Sequence, residues 1–198
     1  MEIYITNLIK FFFVLAPFFV LTMFLALTKG LDTSAQRKVA IRVTISNIVM
    51  CCLIFFFGNA IFKVLGITLD SFRIGAGALL FLSGVSLVQG AKGDTLNAES
   101  SPSDVSVVPL SIPVSIGPAT VGVLMVMSAS LDQFSDKLLS IFAICSSVCV
   151  LGILLYTASK IKDILGNNGI EILTKLSGLV LAALAAQIVF TGVKNFLA

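Results

Sequence analysis

The chain has 198 residues, 58% of them hydrophobic and 12% charged, with a mean hydropathy of +1.09 and a net charge of +3. A soluble domain typically carries about 25% charged residues, so this composition excludes one and indicates an integral membrane protein. The basic residues lie at span ends and form no stripe, which argues against nucleic acid as a partner, and the absence of histidine rules out histidine-based zinc sites, general bases and catalytic triads.

The first apolar run, Ile3 to Leu27, contains Lys10 and is too long for a signal-peptide core, so it reads as a retained span. Five more runs long enough to cross a bilayer follow, giving six expected spans at 3–27, 41–64, 69–88, 105–130, 138–158 and 172–197. The interval from Gln89 to Asp104 has the Ser, Pro, Asp and Gly content of a solvated loop. It divides one membrane domain into three-span units at 1–88 and 105–198, with a polar connection at 89–104.

The two units resemble one another. "KVLG" at 63–66 recurs as "KDILG" at 162–166, each at the end of the unit's second span. Arg73 is matched by Lys175 and Gly90 by Gly192, both 102 positions on, and Pro17 is matched by Pro118 at 101. A duplicated unit with an odd number of spans must enter the membrane from the opposite side. The expected fold is therefore all-α and transmembrane, six helices in two inverted three-helix repeats, with spans 1 and 4 broken near the midplane. Eight of the thirteen Lys and Arg fall in the loops joining spans 1–2, 3–4 and 5–6, which places both termini on the non-cytoplasmic side.

The break in span 4 carries the functional expectation. "PLSIPVSIGPA" at 109–119 puts three prolines and a glycine inside an apolar run, and interior proline costs a helix about 3 kcal/mol. In a membrane such a break is tolerated where protein or a watery cavity covers it. It leaves free carbonyls near Ser111 and Ile112, and free N–H groups near Ala119, Thr120 and Val121 after a helix start at Gly117–Pro118. Two opposite helix ends without a charged side chain suit a small zwitterion. Pro17, Ser111, Ile112, Pro113, Ser115, Gly117, Pro118, Ala119 and Thr120 are the expected substrate-binding residues, and Phe18 and Phe19 would narrow a shared cavity.

Other features have plainer readings. Cys51, Cys52, Cys145 and Cys149 lie in apolar stretches and suit packing, although spans 2 and 5 hold equivalent places and their thiols could approach. Arg73 and Lys175 read as interfacial cations, or alternatively as a gate or partners for Asp70 and Glu171. Gly75, Gly77 and Gly84 with Gly178, Ala182, Ala183, Ala185 and Ala186 form small-residue faces for close helix packing, and Gln187 suits an interhelical hydrogen bond. No Asp or Glu lies mid-span, so a proton-coupled mechanism has no evident carboxylate carrier.

"PLSIPVSIGPA" resembles the P-L-x-I-P-x-x-x-G-P signature of the MarC/SnatA family of six-span membrane proteins. "LTKGL" at 27–31, "FRIGAG" at 72–77 and "LSGLVLAALAAQIVFTG" at 176–192 are similar to that family's segments in the same order. The resemblance implies a multi-pass protein of the prokaryotic inner membrane, similar to transporters of small neutral amino acids such as glycine and alanine. The family's first span usually carries Asn-Pro followed by a nearby glycine, whereas this chain has Ala16, Pro17, Phe18 and Phe19. That departure puts the carry-over of the family's substrate in question.

The expectation is then a secondary transporter of small neutral amino acids working by alternating access, not an enzyme, with no cofactor and no metal. Its partners would be a small-molecule substrate, the lipid bilayer and a coupling ion, proton or sodium; oligomeric state is left open. The alternatives are an exporter of amino acids or other small metabolites, an intramembrane thiol oxidoreductase, and a structural or lipid-handling protein.

Overall fold

A computed structural model describes residues 2–90, 116–131 and 133–197. Among them the regular structure is all helical: α1 (Glu2–Val14), α2 (Pro17–Leu27), α3 (Thr33–Leu65), α4 (Leu69–Gln89), α5 (Pro118–Ala129), α6 (Phe134–Tyr156) and α7 (Ala158–Leu197). Four helices, α3, α4, α6 and α7, are long and apolar enough to cross a membrane, and α1 with α2 makes a fifth crossing if the bent pair is one span. The expected fourth span is represented by α5 alone, because residues 105–115 lie outside the described residues, as does nearly all of the 89–104 connection.

Helices and hydropathy spans differ at their ends for a physical reason. α3 has 33 residues, about 50 Å at 1.5 Å per residue, against a hydrocarbon core of about 30 Å. Its polar opening, Thr33 to Lys38, extends the helix beyond the apolar stretch, and Asp32 caps it by accepting from the Ala35 N–H at 3.3 Å. Thr68 caps α4 in the same way, accepting from the Ser71 N–H at 3.2 Å. α7 is two limbs: Gly166 holds φ 65° and ψ 177°, which interrupts the helix between them.

α6 lies at the centre. Ser140, Ile144, Ser147, Val148, Leu151 and Leu155 are all buried on it, and it packs against both α1 and α3. α4 packs most extensively on α7, while α5 packs on α3 and α4, and α2 on α7. The outward residues are apolar, including Leu82, Phe142, Ile153 and Phe190, which presents the bundle surface to lipid.

Lipid tails are as apolar as leucine, so these interfaces hold by close packing and polar contacts. Against α6, the Tyr4 hydroxyl pairs with Ser146 Oγ at 2.7 Å, Asn7 Nδ2 donates to Ser140 Oγ at 2.9 Å, and Ser147 Oγ donates to the Leu8 carbonyl at 2.8 Å. Each such bond contributes roughly 0.6 kcal/mol in a membrane bundle. At the other end, Gln36 donates to the Thr28 carbonyl at 3.3 Å and accepts from Ser159 Oγ at 2.7 Å, joining the end of α2 to α3 and α7. Glycine makes the α4–α7 seam: a methyl on Gly77 would lie 2.6 Å from Val189 Cγ2, and one on Gly192 2.9 Å from the Asp70 carbonyl oxygen.

Candidate functional site: two helix breaks and a polar cavity

The first span breaks where the prolines and the chain geometry require it. α1 ends at Val14, α2 begins at Pro17, and the two are bent by 43°. Pro17 has no N–H to continue the ladder, and Ala16 turns the chain in the left-handed region at φ 47° and ψ 58°. The first accepted N–H of α2 belongs to Val20, bonded to the Ala16 carbonyl at 3.0 Å. Phe18 and Phe19 thus sit in the first turn, whose N–H groups have no carbonyl within their own helix.

α5 begins in the same manner. Gly117 is its N-cap in an extended conformation, φ −81° and ψ 175°, and Pro118 opens the helix. The Val121 N–H is bonded to the Gly117 carbonyl at 3.0 Å. Val121 is therefore not among the open amides expected from the sequence; Ala119 and Thr120 remain. Ile116, Ala119, Thr120 and Pro17 are all buried. Ser111, Ile112, Pro113 and Ser115 lie outside the described residues.

Beside these breaks is a cavity of about 250 Å³. Three helices each give it one face at i, i+3, i+4, i+7: Asn7, Lys10, Phe11 and Val14 of α1; Val123, Val126, Met127 and Ser130 of α5; Leu184, Gln187, Ile188 and Thr191 of α7. Arg73 of α4 completes the polar part of the wall. Among the described residues expected from the sequence, Pro17, Gly117, Ala119 and Thr120, none lines it. Val14 and Val123 do, one about a turn before Pro17 and the other about a turn beyond Thr120. The cavity runs along residues 7–14 of α1 up to the break, with Arg73 in the second turn of α4, the second half of α5 and residues 184–191 of α7, and so lies in the half of the bundle that holds the chain termini.

Its two cations differ in company. Arg73 Nη1 meets Asp70 Oδ1 at 2.7 Å and Nη2 donates to Ser130 Oγ at 2.8 Å, so the guanidinium ties α4 to the end of α5. Asp70 also accepts from Asn195 Nδ2 at 3.4 Å, which brings in the end of α7. Lys10 has no such partner. Among the described residues neither the Lys10 ammonium nor the Gln187 amide makes a hydrogen bond or an ion pair. Lys10 is seven residues before Pro17, about 10 Å along the helix. That is inside the roughly 15 Å half-thickness of the hydrocarbon if the break is central, where a lone ammonium costs about 3 kcal/mol on insertion scales. The polar side chains in the cavity wall lower that cost.

Sequence reasoning reached the breaks and missed the cavity wall. Asn7 carried no signal, Lys10 entered only as an argument against a signal peptide, and Gln187 read as a helix-packing group. The apolar thiols did come together: Cys52 and Cys145 Sγ are 4.0 Å apart between α3 and α6, with all four cysteines free. Among the described residues no group of three or more His, Cys, Asp or Glu is arranged to hold a metal.

The family model described as MarC family integral membrane protein matches residues 1–197. The chain belongs to the MarC family. Among its relatives, a UPF0056 membrane protein of Methanocaldococcus jannaschii is 29% identical over 202 residues, covering 100% of this chain and 98% of the relative. A UPF0056 membrane protein of Pyrococcus horikoshii is 29% identical, covering 90% of this chain and 88% of the relative. The UPF0056 membrane protein YvbG of Bacillus subtilis is 26% identical, covering 94% and 92%. No solved structure matches the chain. MarC membership fits the apolar, lipid-facing bundle and makes this a multi-pass integral membrane protein.

Proposed function

We propose that this MarC protein is a secondary transporter of small neutral amino acids, working by alternating access of two inverted three-helix units. The observation that carries the reading is the pair of proline-opened helix starts, at Pro17 and Pro118, beside a cavity between the two units whose largely apolar wall carries a few polar groups. Each start offers N–H groups to a carboxylate, and the carbonyl end of α1 offers acceptors to an ammonium. The cavity has room for about eight waters at roughly 30 Å³ each, a scale that suits glycine or alanine. Pro17, Gly117, Ala119 and Thr120 form the described part of the binding site, and Ser111, Ile112, Pro113, Ser115 and Pro118 complete it in this reading.

Helix pairing supports the inverted repeat. Exchanging the two units turns the α2–α7 contact into α5–α4 and the α2–α6 contact into α5–α3, while α3–α6 and α4–α7 exchange with themselves. Gly66 and Gly166, matched in the two sequence units, both take positive φ, 64° and 65°. The cavity lies toward the termini, so the positive-inside count makes this an outward-facing form in the prokaryotic inner membrane. The reading requires no catalytic step and no cofactor. Among the described residues the lining holds no carboxylate, which leaves proton and sodium coupling to be separated by measurement.

The test is uptake of labelled glycine and alanine by proteoliposomes containing the full chain, with proton or sodium gradients imposed. Saturable, gradient-dependent uptake that is lost in folded Gly117→Val and Pro118→Leu variants is expected. Normal uptake by both variants would remove the proposed site; no uptake in either direction from a folded protein would remove the transport reading.

A further inference from the structure

We propose that Lys10 is the counter-charge for a carboxylate in the cavity, giving the outer half of the path a small-carboxylate subsite distinct from the helix-break amides. Two cations line the cavity, and only one is neutralised. Arg73 is held by Asp70 at 2.7 Å and spends a second donor on Ser130 at 2.8 Å. Lys10 shares the cavity-facing stripe of α1 with Asn7, Phe11 and Val14, and has no partner among the described residues. Among the described residues the wall therefore carries one uncompensated positive charge and no carboxylate. An ammonium has three donors and no acceptor, so the group it binds must be an anion or a strong acceptor.

The neighbouring polar groups narrow the class. The Gln187 amide makes no bond among the described residues and has an acceptor oxygen for the ammonium end of an amino acid. Asn7 has committed its Nδ2 to Ser140 at 2.9 Å, which leaves its amide oxygen as a second acceptor. A cation with two amide oxygens fits the two ends of a zwitterion in a space of about 250 Å³. Lys10 is also no product of the repeat. At the offset that matches Pro17 with Pro118, its counterpart is Ser111, so the charge belongs to one unit alone.

The subsite rests on the transport reading for its place on a path, but its chemistry is testable without transport. The experiment is thermal unfolding of the purified full-length protein in detergent, at constant chloride, with sodium acetate, glycine or methylammonium chloride added. Wild type, Lys10→Gln and Lys10→Arg are compared, and each variant's own cooperative melt reports its folding. A ligand that binds the native state raises the melting midpoint. Glycine should raise it and methylammonium should not. Lys10→Gln should weaken the apparent affinity by about tenfold or more, the scale of one lost charge-assisted hydrogen bond, and Lys10→Arg should retain it. Stabilisation by acetate as well would mean that the carboxylate alone suffices; stabilisation by glycine alone would identify an amino acid as its source. No stabilisation by either carboxylate, or an equal effect in Lys10→Gln, overturns the subsite. Lys10-dependent binding without any transport removes the transport reading and leaves the subsite. Transport by Lys10→Gln with an unchanged KM does the reverse.

Discussion

A methyl group on Gly84 would sit 2.8 Å from the Gly178 carbonyl oxygen, and one on Gly178 would sit 2.7 Å from the Gly84 carbonyl oxygen. The contact is reciprocal and involves backbone on both sides, so neither helix has a side chain that could rotate away. We expect Gly84→Val and Gly178→Val to force α4 and α7 apart and to cost about 1–3 kcal/mol each, the usual penalty of overpacking. Their combination should cost less than the sum, because the first substitution already opens the seam. Thermal unfolding of the single and double variants checks both points. Gly75, with open space at its Cβ position, is the control: Gly75→Ala should leave the midpoint unchanged or raise it.

Ala16 is the one non-glycine residue with positive φ among the described residues. A left-handed alanine costs roughly 1–2 kcal/mol relative to its ordinary conformations. Ala16→Gly should therefore stabilise the protein by up to about 1 kcal/mol, and Ala16→Asn should follow in the same direction, since asparagine tolerates this region. A lower melting midpoint for Ala16→Gly would show that the break is not under strain.

Arg73 and Lys175, matched in the two sequence units, each meet a carboxylate at 2.7 Å, Asp70 three residues before and Glu171 four residues before, yet we expect the pairs to differ in worth. Side-chain exposure is 15% and 28% in the first pair, 45% and 60% in the second. Lys175→Gln should change stability by less than about 0.5 kcal/mol, as exposed helical pairs do. Arg73→Gln also loses the bond to Ser130 and leaves Asp70 facing Asn195 alone, and should cost more, about 1–3 kcal/mol. Unfolding of the two variants side by side decides it.

Cys52 and Cys145 are 4.0 Å apart across α3 and α6, about 2 Å more than a disulfide bond length. Copper phenanthroline should link them within one chain, whereas variants retaining only Cys51 and Cys149 should stay reduced. Mass mapping of the cross-linked peptide reads the outcome. Replacing all four cysteines with alanine should leave glycine uptake intact; loss of function in a folded cysteine-free protein would instead favour a thiol-based activity.

What the sequence made legible follows from what is local in it. Pro17 and Pro118 act on the residues beside them, so both helix starts were readable, and a short repeated string marked Gly66 and Gly166 as equivalent without telling that both take positive φ. The helix ends were less readable because hydropathy marks the apolar stretch and not the backbone ladder; the polar turns of α3 before Arg42 are helical because Asp32 caps them. The cavity was not readable at all. Its wall draws on α1, α4, α5 and α7, and Lys10, Arg73 and Gln187 are far apart in the chain. Only packing tells which lysine faces a cavity and which faces a headgroup.

The seam between α4 and α7 also governs how the chain is completed. Gly178 is made about ninety residues after Gly84, and at about 5–20 residues per second synthesis of that interval takes roughly 5–20 s. During that time the glycine stripe of α4 has no native partner. Insertion of the last helix then closes the seam, and a chain truncated before Gly178 keeps the helices up to α6 but leaves α4 without its glycine partner.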